Sequence, residues 1–176
     1  MAQLEFPNLS HKQSYLEMIS EWASFETVPT SPGRLFVGEN FEDFLSIVEN
    51  DITNNPDGVN SHLFFLVENG RIFGAIQIRH SIDHPRLIEV GWHIGYGIRP
   101  SERGKWYATE MLWLALLEAK KIGLVKVLIT CLDDNIASAK VIENNGWAFE
   151  RYAERDGKQF RRYWIAVQGA GTLILT

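Results

Sequence analysis

Cysteine is almost missing from this chain of 176 residues, which has only Cys131. A lone thiol cannot close an intramolecular disulfide, so the core must hold the fold together, and a reducing compartment suits it. Long apolar runs are missing as well. No stretch approaches the roughly 20 residues needed to cross a bilayer, and the opening MAQLEFPNLSHKQ lacks the basic-then-apolar pattern of a secretory signal. The expected location is the cytoplasm, with no membrane partner. Excess positive charge is the third absence. A net charge of -5 and a pI near 5.5 remove the overall field that draws a protein to nucleic acid, so no nucleic-acid partner is expected. An anionic ligand would have to be met by a local basic patch.

What is present is the composition of one globular domain over residues 1–176, with 45% hydrophobic and 22% charged residues and no internal repeat or low-complexity segment. Ser10 and Gln13 form an S-x-x-Q capping box, and Tyr15, Met18, Ile19, Trp22 and Phe25 follow at helical spacing. A second helix is expected after Asn40, with Phe41, Phe44, Leu45, Val48 and Ile52 on one face. HLFFLVENGRIFGAIQIRH holds two β-rich runs around Asn69-Gly70, a strong hairpin signal. LIEVGWHIGYGI reads as a further strand whose glycines suggest a bulge or a close approach to the backbone.

Ala108, Met111, Leu112, Ala115, Ala119 and Ile122 mark a helix that ends near Gly123, and LVKVLITCL is a buried strand after it. Strand, helix and strand within about 40 residues form a βαβ unit, which predicts that its two strands are parallel neighbours. A shorter helix over about Asn135 to Asn145 and two closing strands near WAFERY and FRRYWIAV complete an α/β domain. Its expected sheet is mixed, mostly antiparallel, with about four helices. The apolar tail GAGTLILT is either an added edge strand, a partner contact that would make a homodimer possible, or a frayed end.

The segment IRPSERGKWYATEML crowds Arg99, Arg103 and Lys105 into a turn that feeds a helix. Unpaired N–H groups at a helix start make an anion site. The spacing fits neither a G-x-x-x-x-G-K-[ST] loop nor a dinucleotide fingerprint, and a solvated basic loop is the plain alternative.

The segment resembles motif A of the GNAT superfamily of N-acetyltransferases, whose R/Q-x-x-G-x-G/A loop binds the pyrophosphate of acetyl-CoA. The matching residues are Arg103-Gly104-Lys105-Trp106-Tyr107-Ala108, after Ile98-Arg99-Pro100. DNIASAKVIENNG resembles the family's next block, whose leading asparagine, here Asn135, contacts the cofactor. The order of elements is also similar to the family's over nearly the whole chain. The resemblance implies a GNAT-like fold, acetyl-CoA as cosubstrate, no metal, and cofactor contacts from Ile98, Arg99, Arg103, Gly104, Lys105, Trp106, Tyr107, Ala108, Thr109 and Asn135. It implies transfer to a primary amine of a small molecule or peptide by direct attack. Trp106 departs from the pattern, standing where the family has its central loop glycine; the chain is similar in particular to a bacterial group of acetyltransferases with HIGYGIRPSERGKGYATEML-like segments, and Trp92 and Trp147 also stand where that group usually has glycine. The alternative reading is a binding or regulatory module whose CoA site is impaired by Trp106.

Acetyl transfer needs a neutral amine, a polarised carbonyl and a proton for the leaving thiolate. Glu89 and His93, four apart on the expected glycine-rich strand, are the candidate bases, and the resemblance puts Glu89 first. A tyrosine serves many relatives as proton donor seven residues after the asparagine, where this chain has Ile142; Tyr107, Tyr152 or water are the substitutes. His80 and His84 lack a third metal ligand, and Cys131 reads as a small core residue. Arg151, Arg155, Lys158, Arg161 and Arg162 surround an expected turn at Asp156-Gly157, where one arginine could meet an acidic substrate or the 3′-phosphate of CoA.

Overall fold

A computed structural model describes residues 1–25, 32–56, 58–85, 87 and 89–167. The tail GAGTLILT at 169–176, expected as an edge strand, a partner contact or a frayed end, lies outside the described residues, as does TVPTS at 27–31.

Asn8, not Ser10, starts the first helical segment. Its side chain accepts from the Ser10 amide at 3.0 Å, and its own amide donates to His11 Nδ1 at 3.2 Å, closing a capping box over a 3-10 turn at Leu9–His11. That turn runs into α1 (Lys12–Ser24). Asparagine caps at least as well as serine, and Gln13 is left to bond Glu17 at 3.0 Å instead. α2 (Phe41–Asn50) begins as expected, with Asn40 accepting from the Asp43 amide at 2.9 Å.

Two antiparallel sheets follow. The first has the order β1 (Gln3–Glu5), β2 (Ser61–Glu68), β3 (Arg71–Arg79) and β4 (Ile94–Ile98). The β2–β3 hairpin turns at Asn69 and Gly70, both at positive φ, as a two-residue turn of this type requires. A register shift after Leu66 makes Phe73 an extra residue. The bulge switches strand parity, so Ile72 and Ala75, three apart, face the same side. That side packs on α1 and α2 through Tyr15, Phe41, Phe44 and Phe65, with Tyr15 and Phe44 stacked at 4.9 Å. The opposite face, with Leu66, Ile76, Ile78, Ile94 and Ile98, packs on Met111, Leu112, Ala115 and Leu116 of α3 (Tyr107–Lys121).

The second sheet has the order β5 (Lys126–Leu132), β7 (Lys158–Ala166), β6 (Ala148–Arg155), with α4 (Ile136–Asn144) between β5 and β6 in sequence. Four α-helices and seven strands are thus present among the described residues. Two expectations are corrected. The strand read over LIEVGWHIGYGI is confined to Ile94–Ile98, so Glu89 and His93 do not share a strand face. β4 and β5 were expected to pair in parallel, yet they belong to different sheets. No helix of the described residues is long and apolar enough to cross a membrane.

Candidate active site

The failure of β4 and β5 to pair opens a cleft of about 1050 Å³. Strand parity tells which backbone groups face it. Arg79 donates to the His93 carbonyl at 2.7 Å and Arg99 to the Phe73 carbonyl at 2.8 Å, so the odd residues of β4 bond β3. The amides and carbonyls of Ile94, Tyr96 and Ile98 therefore point to the open edge. On β5, Val125 and Asp133 bond the β7 side, which turns Leu128, Thr130 and Leu132 toward β4.

His93 closes the narrow end. Its amide donates to the Leu128 carbonyl at 2.8 Å, and its ring Nδ1 accepts from the Leu128 amide at 2.9 Å. The imidazole stands where a paired strand would offer a carbonyl, which joins the sheets at one point while holding them apart. Accepting at Nδ1 requires that nitrogen to be unprotonated, and burial agrees, pulling the pKa down to about 4. Glu89 is not beside it. It is exposed, pairs with Arg151 at 2.9 Å, and does not line the cleft.

At the wide end lies the turn into α3. Gly104 has φ +75, a conformation that a side chain would strain, whereas Trp106 has φ -70 and helical geometry. Trp106 is 70% exposed, so it is no part of the core, and it lines the cleft. Among the described residues no carbonyl or side chain accepts from the amides of Gly104 to Thr109. They stand at the positive end of a helix of 15 residues. The cations of the turn are engaged elsewhere. Arg99 is buried, with Nε 2.6 Å from Glu21, and it reaches α1 rather than the cleft. Lys105 pairs with Glu102 at 2.8 Å, and Arg103 Nε donates to the Ile98 carbonyl at 3.3 Å.

Ile98, Arg103, Gly104, Lys105, Trp106, Ala108, Thr109 and Asn135 line the cleft; Arg99 and Tyr107 do not, and Tyr107 stacks on Phe73 at 4.4 Å. Asn135 caps α4, its side chain accepting from the Ser138 amide at 3.1 Å. Across from it, the Tyr96 hydroxyl meets the Ser138 hydroxyl at 3.0 Å. Burial raises the Tyr96 phenol to about 12, so it stays protonated. Sequence reasoning passed over both residues, although each carried a signal: Tyr96 sits between two glycines of the edge strand, and Ser138 is the capped N3 position after Asn135. Ile142 is fully buried in the core, and burial raises the Cys131 thiol to about 11, which makes it a poor nucleophile. The His62 and His80 rings meet at 2.8 Å, and no group of three metal-ligand side chains occurs among the described residues.

This geometry has relatives. The family described as an acetyltransferase (GNAT) domain matches residues 4–148, and the chain belongs to that family. Membership makes it an acetyltransferase by family. No curated protein matches the chain in sequence. Among solved structures it is similar to the microcin C7 self-immunity acetyltransferase MccE in complex with acetyl-CoA and AMP, at 21% identity and a TM-score of 0.63, over 93% of this chain and 91% of that one. It is similar to RimJ of Mycobacterium smegmatis in complex with CoA-disulfide, at 18% identity and a TM-score of 0.65, over 95% and 86% of the two chains. It also resembles yncA of Salmonella typhimurium with its cofactor acetyl-CoA, at 15% identity and a TM-score of 0.63, over 99% of each. Likeness at these identities establishes the fold.

Proposed function

We propose that the chain moves the acetyl group of acetyl-CoA to a primary amine of a small molecule or peptide by direct attack in the β4–β5 cleft. The observation that supports this reading is the run of amides from Gly104 to Thr109, a segment that lines the cleft at all positions but Tyr107 and whose amides have no protein acceptor among the described residues. Such a group binds a diphosphate through backbone N–H and helix dipole. The amides and carbonyls of Ile94 and Tyr96 would pair an extended, amide-bearing arm as an added strand does. On this reading the thioester lies toward the narrow end, near Trp92 and Tyr96.

The reacting amine attacks the thioester carbonyl, and the carbon–sulfur bond breaks as the new carbon–nitrogen bond forms. The Tyr96 and Ser138 hydroxyls, hydrogen-bonded and inside the cleft, are suited to pass a proton to the departing thiolate. The ammonium proton goes to water in this reading. The Nδ1 lone pair of His93 is committed to Leu128, and Glu89 is held by Arg151. We take residues 1–176 as one catalytic domain working in the cytoplasm. The regulatory alternative depends on strain at Trp106, and its φ of -70 does not favour that strain.

Thermal unfolding with acetyl-CoA and with CoA tests the reading. At 100 times Kd either ligand should add about 2.7 kcal/mol of stability, and an amine panel followed by free-thiol release should reveal turnover. The absence of any ligand shift, with a shift appearing in Trp106→Gly, would overturn the proposal in favour of the regulatory module.

A further inference from the structure

Trp106 is the most exposed aromatic side chain among the described residues, and of their exposed large apolar side chains it alone lines the cleft. An indole left in water forgoes the gain of burying one of the largest apolar surfaces a residue carries. Its neighbour does otherwise, since Tyr107 stacks on Phe73 at 4.4 Å and packs against the core. The Trp106 ring has no ring or cation partner among the described residues. Trp106 is the N-cap of α3, with φ -70 and ψ -6. In that helical conformation the Cα–Cβ bond tilts toward the helix N-terminus, the end at which the amides of Gly104 to Thr109 lack a protein acceptor among the described residues.

The covalent structure of coenzyme A gives this position a use. Its diphosphate joins two unlike ends, a flexible pantetheine arm that carries the thiol and an adenosine whose base is flat. The proposed reading sets the diphosphate on the α3 amides and the arm along the edge of β4. The adenosine then leaves on the side away from the arm, at the wide end of the cleft, which Trp106 lines. An adenine face stacks on an aromatic ring without any particular hydrogen-bond pattern. The glycine of the family pattern has no such face to offer at this position.

We propose that Trp106 is the platform on which the adenine of CoA stacks, and that it sets the preference of the site for the whole coenzyme over pantetheine thioesters that carry no nucleotide. The inference rests on the acetyl-CoA reading above and adds to it a residue that decides which thioester is accepted. The residue that departs from the family pattern thus supplies a binding surface of its own, while the neighbouring amides keep the diphosphate.

The test compares CoA with 4′-phosphopantetheine, which keeps the arm and one phosphate but lacks the adenosine. Calorimetric titration of Trp106→Leu, which keeps apolar bulk and removes the aromatic face, should show Kd for CoA raised about tenfold, the size of one base–ring stack. Kd for phosphopantetheine should stay within about twofold. Trp106→Phe, which retains a ring, should recover most of the CoA affinity, and thermal unfolding checks that each variant is folded. Indole fluorescence reads the same contact without the arm. Adenosine 3′,5′-bisphosphate should quench the emission of the unsubstituted protein and leave that of Trp106→Phe, which keeps the other tryptophans, unchanged. The quench decides alone if phosphopantetheine binds too weakly to titrate. Unchanged or tighter CoA binding in Trp106→Leu, an equal loss for both ligands, or a quench that persists in Trp106→Phe would overturn the platform while leaving acetyl transfer standing. Failure of the unsubstituted protein to bind CoA at all would overturn both readings.

Discussion

Two groups of basic residues look alike along the chain and behave differently in space. Arg99, Arg103 and Lys105 sit in the turn before α3, yet each is spoken for, by Glu21, the Ile98 carbonyl and Glu102 respectively. Their charges brace the turn, and the proposed diphosphate site is left to main-chain amides. Arg79 and Arg155, more than 70 residues apart in sequence, line one cavity whose described walls hold no carboxylate. A basic motif can thus be mostly scaffold.

The contrast can be broken at the turn, starting with the largest expected effect. Arg99→Met leaves Glu21 without its buried partner and should destabilise the protein by about 3 to 4 kcal/mol, read by urea unfolding, while Kd for CoA in the folded protein changes little. A large loss of CoA affinity at unchanged stability would instead make Arg99 a ligand residue.

His93 comes next. Its folded pKa of about 4 lies below the ordinary value of 6.5, so its contribution is complete above pH 6.5 and is lost as pH falls toward 4. Stability should drop by about 2 to 3 kcal/mol over that window. His93→Asn, whose side-chain oxygen can also accept from Leu128, should flatten this part of the curve.

Gly104→Val places a β-branched residue at φ +75 and should destabilise the turn by about 1 to 2 kcal/mol. Because the strain falls on the proposed diphosphate site, Kd for CoA should rise about tenfold with it. Lys105→Gln removes a cation already paired with Glu102 and should shift Kd for CoA by less than about threefold, equivalent to under 1 kcal/mol. A tenfold change with a steep salt dependence would show that the lysine, rather than the amides, holds the phosphates.

Much of the fold was legible because its signals are local. Asn40, Asn69-Gly70, Asn135 and Asp156-Gly157 each mark an element boundary through backbone chemistry within a few residues, and all four do so in the structure. Ser10 misled because Asn8, two residues earlier, already caps the segment and accepts from both the Ser10 amide and the Ser10 hydroxyl. The cleft was not legible. A βαβ pattern normally implies paired strands, and the imidazole that replaces the pairing belongs to a residue 35 positions from its partner. Glu89 and His93 were aligned by assuming a strand that stops short of both.

Apolar spacing and capping residues, which act over one or two turns of chain, suffice for the order and type of the elements and for a glycine at position 104. Direction and company of the charged side chains came only with the packed molecule. Whether Arg99 faces a ligand or Glu21, and whether Arg79 and Arg155 share a cavity, depends on distances between elements that no local signal encodes. Electrostatic roles depend on such distances far more steeply than secondary structure does.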